Sequence, residues 1–128
     1  MESWDGKWLF YTVTEATSVL RKQSLVTGQE EDVVPEVATV PGFVVTADGI
    51  YYLTQRGNGA TLSFLDFASR ISRQLAAFDK PPGNGLSVSA DGKHILLALC
   101  DNSVSNLMLL RDFSNGRHAF FTRMLSSR

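Results

Sequence analysis

An Asp-Gly pair between short apolar runs recurs three times in this chain of 128 residues. The copies lie in the segments Ser3–Thr12, Thr46–Thr54 and Ser89–Ala98, with the pairs at 5–6, 48–49 and 91–92. Consecutive pairs are therefore 43 residues apart both times. A fixed period of this length indicates copies of one supersecondary unit that bury their apolar faces against each other.

Each unit has the composition of β-structure. Asp-Gly between apolar runs is a strong hairpin signal, because the turn needs positive φ and glycine supplies it without steric cost. The runs are short and rich in Val, Ile, Phe, Tyr and Thr, which favours strands. A period of about 40–45 residues is typical of a four-stranded propeller blade. We predict an all-β fold, a partial β-propeller of about two and a half to three four-stranded antiparallel blades.

The repeat divides the chain, which we interpret as one propeller-type segment over 1–128. The predicted units are a partial blade 1 at 3–38, blade 2 at 42–79 and blade 3 at 85–125. Blade 1 lacks the strand before its Asp-Gly turn, and its strands are predicted at 7–12, 19–25 and 31–37. The run His94–Leu99 is nearly continuous in apolar residues, as in a strand buried on both faces. Helix is an alternative at 15–21 and in the C-terminal tail.

Composition argues against several classes of function. The formal net charge is -1, whereas proteins that grip the nucleic-acid backbone usually present a basic face. No apolar run approaches the roughly 18 residues of a membrane span, and no secretory signal is visible at the N-terminus. We therefore expect no nucleic-acid or membrane contact. A cytoplasmic location is favoured for the chain as given, and a periplasmic one if a signal lies upstream.

Fewer than three blades leave two blade faces uncovered. Propellers usually close with about four to eight blades, and exposed strand edges and apolar faces favour association. We expect the chain to be the C-terminal part of a larger propeller. Assembly of several copies, or a third unit that folds back irregularly, are the alternatives. The expected partners are therefore the missing blades, another protein or further copies of this chain.

The Asp-Gly segments also carry a family resemblance. Ser89-Ala-Asp-Gly-Lys93 and its two counterparts resemble the S-P-D-G-K signature of TolB-like, WD-type bacterial propeller repeats, with Trp4, Ala47 and Ala90 in place of the proline. Leu20–Gly28 is similar to the strand and turn that follow this signature. The resemblance implies the C-terminal propeller portion of a multidomain regulatory protein. The tail 114–128, with Arg117, Arg123 and Arg128, matches no part of the family pattern.

Two sets of polar residues are candidates for chemistry. Asp5, Asp48 and Asp91 recur at equivalent positions, and either form a ring of carboxylates for a cation or cap their own turns. We favour turn capping, since each copy keeps the glycine. His94 and His118 have no Cys, Asp or Glu at metal-ligand spacing, so we interpret them as structural or surface residues.

The remaining candidates are a thiol and four aromatic residues. Cys100 follows an inner strand and is interpreted as a small buried apolar residue rather than a nucleophile. The aromatic residues either form a stacking platform for a ligand or pack between blades, which is the commoner role. They are Trp4, Trp8, Tyr51 and Tyr52.

No catalytic, cofactor-binding or metal-binding residue is predicted. We predict a non-catalytic protein-interaction or ligand-sensing module with no cofactor, using loops 55–60, 80–85 and 101–105 on a rigid scaffold. The alternatives are the propeller gate of a prolyl-oligopeptidase-like hydrolase and a TolB-like periplasmic envelope adaptor.

Overall fold

The computed structural model describes residues 1–14, 18–38, 42–101, 104–111 and 120–127. The described residues form strands and turns, and they contain no helix. The strands are β1 (Trp8–Thr14), β2 (Ser18–Ser24), β3 (Glu30–Val34), β4 (Phe43–Val45), β5 (Gly49–Arg56), β6 (Gly59–Asp66), β7 (Ser72–Phe78), β8 (Pro82–Val88), β9 (His94–Asp101), β10 (Val104–Arg111) and β11 (Phe120–Ser127). The predicted all-β fold class is confirmed.

The strands form three antiparallel sheets, each in chain order. The first sheet is β1-β2-β3, the second is β4-β5-β6-β7 and the third is β8-β9-β10-β11. Met1–Ser3 runs beside the free edge of β1, where the Phe10 N–H donates to the Met1 carbonyl (2.7 Å) and Glu2 bridges Leu9. Residues 1–3 thus begin a fourth strand of the first sheet, in the position that β4 and β8 occupy in the other two sheets.

Two apolar clusters hold the three sheets together in series. Phe10 and Leu20 of the first sheet pack with Ile50 of the second. Leu53, on the opposite face of β5 from Ile50, belongs to a second cluster with Leu97 of the third sheet. The second sheet is therefore covered on both faces, and each outer sheet is covered on one.

The Asp-Gly turns differ in length between sheets. Gly6 and Gly92 both have φ of +72°, in turns closed by the pairs Ser3–Trp8 and Ser89–His94. In the second sheet, β5 begins at Gly49 itself, and the turn closes between Thr46 and Gly49. Gly49 is not among the positive-φ residues of the described chain. The expectation of positive φ at every Asp-Gly pair is wrong for the second copy.

Some sequence-based boundaries are also wrong. Helix is excluded over 18–21 by β2 and over 120–127 by β11, and the rest of both predicted segments lies outside the described residues. Residues 82–85 of the predicted loop 80–85 belong to β8. A β-carbon at Gly83 would lie 3.2 Å from that of Ala98, so glycine lets β8 approach β9 closely. The turn predicted at 55–60 shortens to residues 57–58, because β5 and β6 extend into it.

Candidate functional site

Alternate turns of the first two sheets meet at one end of the molecule. In an up-and-down antiparallel sheet, every second connection returns to the same edge. This places the turns at 3–8 and 25–29 of the first sheet together, and likewise those at 46–49 and 66–71 of the second. We call this end the Asp-Gly face.

A cavity of about 410 Å³ opens between the first two sheets on the Asp-Gly face. Its volume lies within the range of ligand sites, roughly 300–1,000 Å³. Both sheets contribute aromatic and charged side chains to it. The lining residues are Ser3, Trp4, Asp5, Trp8, Phe10, Lys22, Glu31, Asp32, Val33, Thr46, Ala47, Leu65, Asp66, Phe67 and Arg70.

Trp4 is the most exposed large apolar side chain among the described residues, at 84%. Trp4 precedes the Asp-Gly pair, a position that is alanine in the other two copies. The hydrogen bonds of the turn are made by the residues on either side of Trp4. The Ser3 hydroxyl donates to Asp5 Oδ1 (2.6 Å), and the Lys7 and Trp8 N–H groups donate to Asp5 Oδ1 and Ser3 Oγ (3.0 Å each). None of these bonds uses the indole.

The third sheet contains the same turn without a tryptophan. The Ser89 hydroxyl donates to Asp91 Oδ1 (2.5 Å), and the Lys93 and His94 N–H groups donate to Asp91 Oδ1 and Ser89 Oγ (3.0 Å each). Ala90 occupies the variable position there. The turn therefore forms with alanine, and its geometry does not require Trp4.

A cation already lies on the second tryptophan of the cavity. Lys22 Nζ lies 4.2 Å from the centroid of the Trp8 ring and 2.9 Å from Glu31 Oε1. Below them, Phe10 is 2% exposed and its ring stacks on Phe67 with centroids 6.1 Å apart. The cavity thus has an apolar floor and a charged rim.

Carboxylates outnumber cations in the lining. Asp5, Glu31, Asp32 and Asp66 carry negative charge, whereas Lys22 and Arg70 carry positive charge. Lys22 neutralises Glu31, and Arg21 on the outer face pairs with Asp32 (2.6 Å). Hydrogen bonds from the Ser3 hydroxyl and the Lys7 N–H hold the pKa of Asp5 below its ordinary value. Asp5 is therefore fully ionised at neutral pH.

Two charged groups sit on the β6–β7 turn at the other wall of the cavity. Asp66 Oδ1 accepts the Ala68 N–H (3.0 Å), and the Asp66 carbonyl accepts the Arg70 N–H (2.8 Å). Arg70 has φ of +59°, unusual for a residue with a β-carbon. The turn thereby contributes a carboxylate and a guanidinium-bearing residue to the cavity that Trp4 also lines.

The three Asp-Gly turns do not use their aspartates in the same way. Asp5 and Asp91 bond within their turns as expected, while the second turn uses the Thr46 hydroxyl, which donates to the Gly49 carbonyl (3.0 Å). Among the described residues no three His, Cys, Asp or Glu side chains are grouped to hold a metal. The carboxylate ring therefore finds no support in the described part of the chain.

The other candidates are also separated. Trp4 and Trp8 line the cavity, whereas Tyr52 is buried between the sheets and Tyr51 packs on Phe64 with ring centroids 4.6 Å apart. The structure thus divides the aromatic set between the cavity lining and the packed interior.

His94, Cys100 and the loop 80–85 are not among the residues that line the cavity. His94 begins β9, and Cys100 is half-buried in the same strand, not fully buried as predicted. His118 and the whole of the segment 112–119 lie outside the described residues, as do residues 102 and 103 of the third predicted loop. Of residues 80–85, only 80 and 81 precede β8, and 82–85 belong to this strand of the third sheet.

Sequence reasoning did not find Lys22, Phe67 or Arg70. Each is an ordinary strand or turn residue in its own segment, and no local pattern sets it apart. Pairing of β2 with β1 places Lys22 on the cavity, and stacking of the first two sheets brings Phe67 and Arg70 to it.

No family model matches the chain, and no curated protein matches its sequence. Several solved structures do resemble the chain in fold. TolB from Acinetobacter baumannii superposes with a TM-score of 0.71 at 18% identity, over 94% of this chain and 31% of that one. The chain is a sector of a TolB-like β-propeller fold. At this identity the likeness establishes the fold alone.

A second solved structure has a weaker likeness to this propeller sector. It is a putative 6-phosphogluconolactonase from Bacteroides fragilis, with a TM-score of 0.56 at 16% identity, over 97% of this chain and 36% of that one. The sector spans about a third of the length of both proteins. Within its described residues, no helix has the length and apolar character needed to cross a membrane.

Proposed function

We propose that this propeller sector is a non-catalytic binding module whose contact surface is the cavity between its first two sheets. The observation that carries the proposal is the exposure of Trp4, which is 84%. The equivalent turn of the third sheet has the same hydrogen bonds with Ala90 at this position, so the turn itself does not require a tryptophan. Exposed aromatic residues on a rigid scaffold are typical anchors of interfaces.

The arrangement of polar groups supports binding rather than catalysis. Asp5 and Asp66 hold turn amides, and Glu31 holds Lys22. These groups position the rim of a cavity with an apolar floor, the usual composition of a recognition site.

Site-specific crosslinking tests the proposal. A photoreactive phenylalanine analogue replaces Trp4 in the chain expressed in its native cells, and the control carries it at Ala90. We expect a defined adduct from position 4 and none from position 90, identified by mass spectrometry. Equal labelling from both positions, or none from either, would contradict a binding site at this cavity.

We further propose that additional propeller sheets cover the two outer faces, supplied by a longer chain or by further copies. Leu9 on the outer face of the first sheet is 37% exposed. Leu96 lies on the face of β9 opposite Ile95 and Leu97, which are fully buried toward the second sheet. Apolar side chains on both outer faces support this proposal.

The biological setting that we propose is the C-terminal part of a larger bacterial regulatory protein. The Asp-Gly repeat resemblance supports it, and the likeness to about a third of TolB is compatible with it. Sequencing the surrounding reading frame discriminates among the settings. A winged-helix or kinase domain upstream supports it, a hydrolase domain supports a peptidase gate, and a signal peptide supports an envelope adaptor.

A further inference from the structure

We propose that the cavity on the Asp-Gly face binds a cationic side chain, preferably arginine, presented by a peptide segment of a protein partner. This proposal rests on the proposed binding function and names its ligand class.

The cavity already contains one cation held by an aromatic ring and a carboxylate. Trp8 holds the Lys22 ammonium at 4.2 Å, with Glu31 as the counterion at 2.9 Å. This arrangement combines a cation–π contact with an ion pair. The indole of Trp4, on the same rim, has no stacked ring or cation among the described residues.

The charged residues of the cavity lining also favour a cation, because carboxylates outnumber cations there. With Lys22 on Glu31 and Arg21 on Asp32, the described lining retains the carboxylates of Asp5 and Asp66 and the cation of Arg70. The exposed Lys7, outside the lining, adds a positive charge near Asp5. Asp5 is adjacent to Trp4 in the turn, and the Ser3 hydroxyl and the Lys7 N–H favour its ionised form. An added cation would therefore find an aromatic face and a negative rim together.

An indole beside carboxylates suits arginine better than lysine. A planar guanidinium stacks on an indole and donates to a carboxylate at the same time, whereas an ammonium is a more strongly hydrated point charge. The rim is open to solvent at Trp4, so that a guanidinium stacked there keeps water on its outer face.

The chain offers a specific reporter for the test. Its two tryptophans both line the cavity, so 5-fluorotryptophan labelling gives ¹⁹F signals from this site alone. The probe is the peptide acetyl-Gly-Gly-Arg-Gly-Gly-amide. Matched peptides carry citrulline, lysine or glutamate in place of arginine, and free methylguanidinium tests the cation without a peptide.

We expect the arginine peptide to shift the Trp4 signal and to bind at least about tenfold more tightly than the neutral citrulline peptide, since the cation–π contact and the carboxylate contact both need the charge. The lysine peptide should bind more weakly, and the glutamate peptide should not bind. Raising the salt concentration should weaken the arginine complex. Weaker binding of methylguanidinium supports a peptide-borne ligand, and equal binding overturns that part of the proposal.

Variants locate the effect. Trp4→Ala, which reproduces the turn of the third sheet, should abolish binding as followed by the Trp8 signal. Asp66→Asn keeps the oxygen that accepts the Ala68 N–H and should weaken binding about threefold to tenfold. Val26→Ala is the matched control, because Val26 is 82% exposed on the same face and does not line the cavity. It should bind like the unmodified chain.

The outcomes separate the ligand class from the binding function. Equal binding of the arginine and citrulline peptides, stronger binding of the glutamate peptide, or no shift with any cation would overturn the ligand class. In each of those cases a position-4 crosslink with a partner would leave the binding module intact. Loss of both the shifts and the crosslink would overturn both proposals.

Discussion

Glycines in this protein serve two different physical purposes. Gly28 and Gly92 adopt positive φ (+77° and +72°) with no atom within 4 Å of the place where a β-carbon would stand. Gly49 has no such backbone requirement, but a β-carbon there would lie 2.1 Å from the Leu65 carbonyl oxygen and 2.5 Å from the Phe64 ring. The first pair needs conformational freedom, and the last needs space.

This difference predicts the order of three substitutions. Gly28→Ala and Gly92→Ala should each destabilise the fold by about 1 kcal/mol, from left-handed backbone strain alone. Gly49→Ala should cost about 3 kcal/mol or more, because a strand must move away from its neighbour. Urea unfolding of the three variants gives the values. A smaller loss at Gly49 than at Gly92 would contradict the assigned roles.

Acid should weaken the two matching turns. Hydrogen bonds from Ser3 and Ser89, followed by the Lys7 and Lys93 amides, lower the pKa of Asp5 and Asp91. A lowered folded pKa adds stability above the unfolded value of about 3.9, and this is lost as pH falls through the folded pKa. The melting temperature should therefore fall below about pH 4.

The matched variant for that prediction is Asp5→Asn combined with Asp91→Asn. It should melt lower at neutral pH and decline less steeply in acid, because the asparagines do not titrate. Thermal melts from pH 7 to below about pH 4 check this, and an unchanged acid slope would show that other carboxyl groups are responsible.

At the scale of elements, one aromatic contact joins the first sheet to the second. Phe10 of β1 and Phe67 after β6 stack with ring planes 26° apart. Phe10 is buried, while Phe67 is 36% exposed. This contact closes the floor of the cavity, so the stability of the sheet pair and the shape of the site depend on the same residues.

A double-mutant cycle measures that contact. Phe10→Leu and Phe67→Leu should show a coupling energy of about 0.5–1.5 kcal/mol, the range for aromatic pairs. Tyr51→Leu with Phe67→Leu is the control cycle, since the Tyr51 ring packs against Phe64 in a tilted arrangement instead, and its energies should add. Additive energies for Phe10 and Phe67 as well would mean that the two sheets are not coupled through these rings.

At the scale of the whole molecule, two sheet faces have no neighbour within the described chain. The second sheet has apolar clusters on both faces, but the first and third sheets have one each. Stacked repeats derive their stability from such contacts between neighbours. The outer faces should therefore associate when the chain is isolated.

Light scattering tests this directly. We expect the isolated chain to have a mass above its monomer value of 14.1 kDa. Leu9→Lys and Leu96→Lys should lower that mass, because each puts a charge on an outer face. Ile71→Lys is the control, since Ile71 is 65% exposed on a turn and should leave the mass unchanged. A monodisperse monomer of the unmodified chain would refute the expected association.

Much of the fold could be predicted from the repeat, but little of the site. The Asp-Gly period locates the sheets because hairpin turns and apolar runs are local features. It does not reveal that the second turn is shorter, since Thr46 takes the hydrogen-bonding role that Ser and Asp share elsewhere. Trp4 and Trp8 are recognisable in the sequence as aromatic candidates, but packing between blades is the favoured interpretation there, and only the structure places both on a cavity.

The amino-acid sequence alone determined the strand-forming units, their number and the chemistry of two of the three turns. These properties depend on residues a few positions apart. The tertiary structure decided which side chains share a cavity. Pairing of β1 with β2 sets Lys22 beside Trp8. Asp66 and Arg70 reach the same cavity because burial of Phe10, Leu20 and Ile50 brings the first two sheets face to face. That register is set by apolar packing between distant segments, which no local pattern specifies.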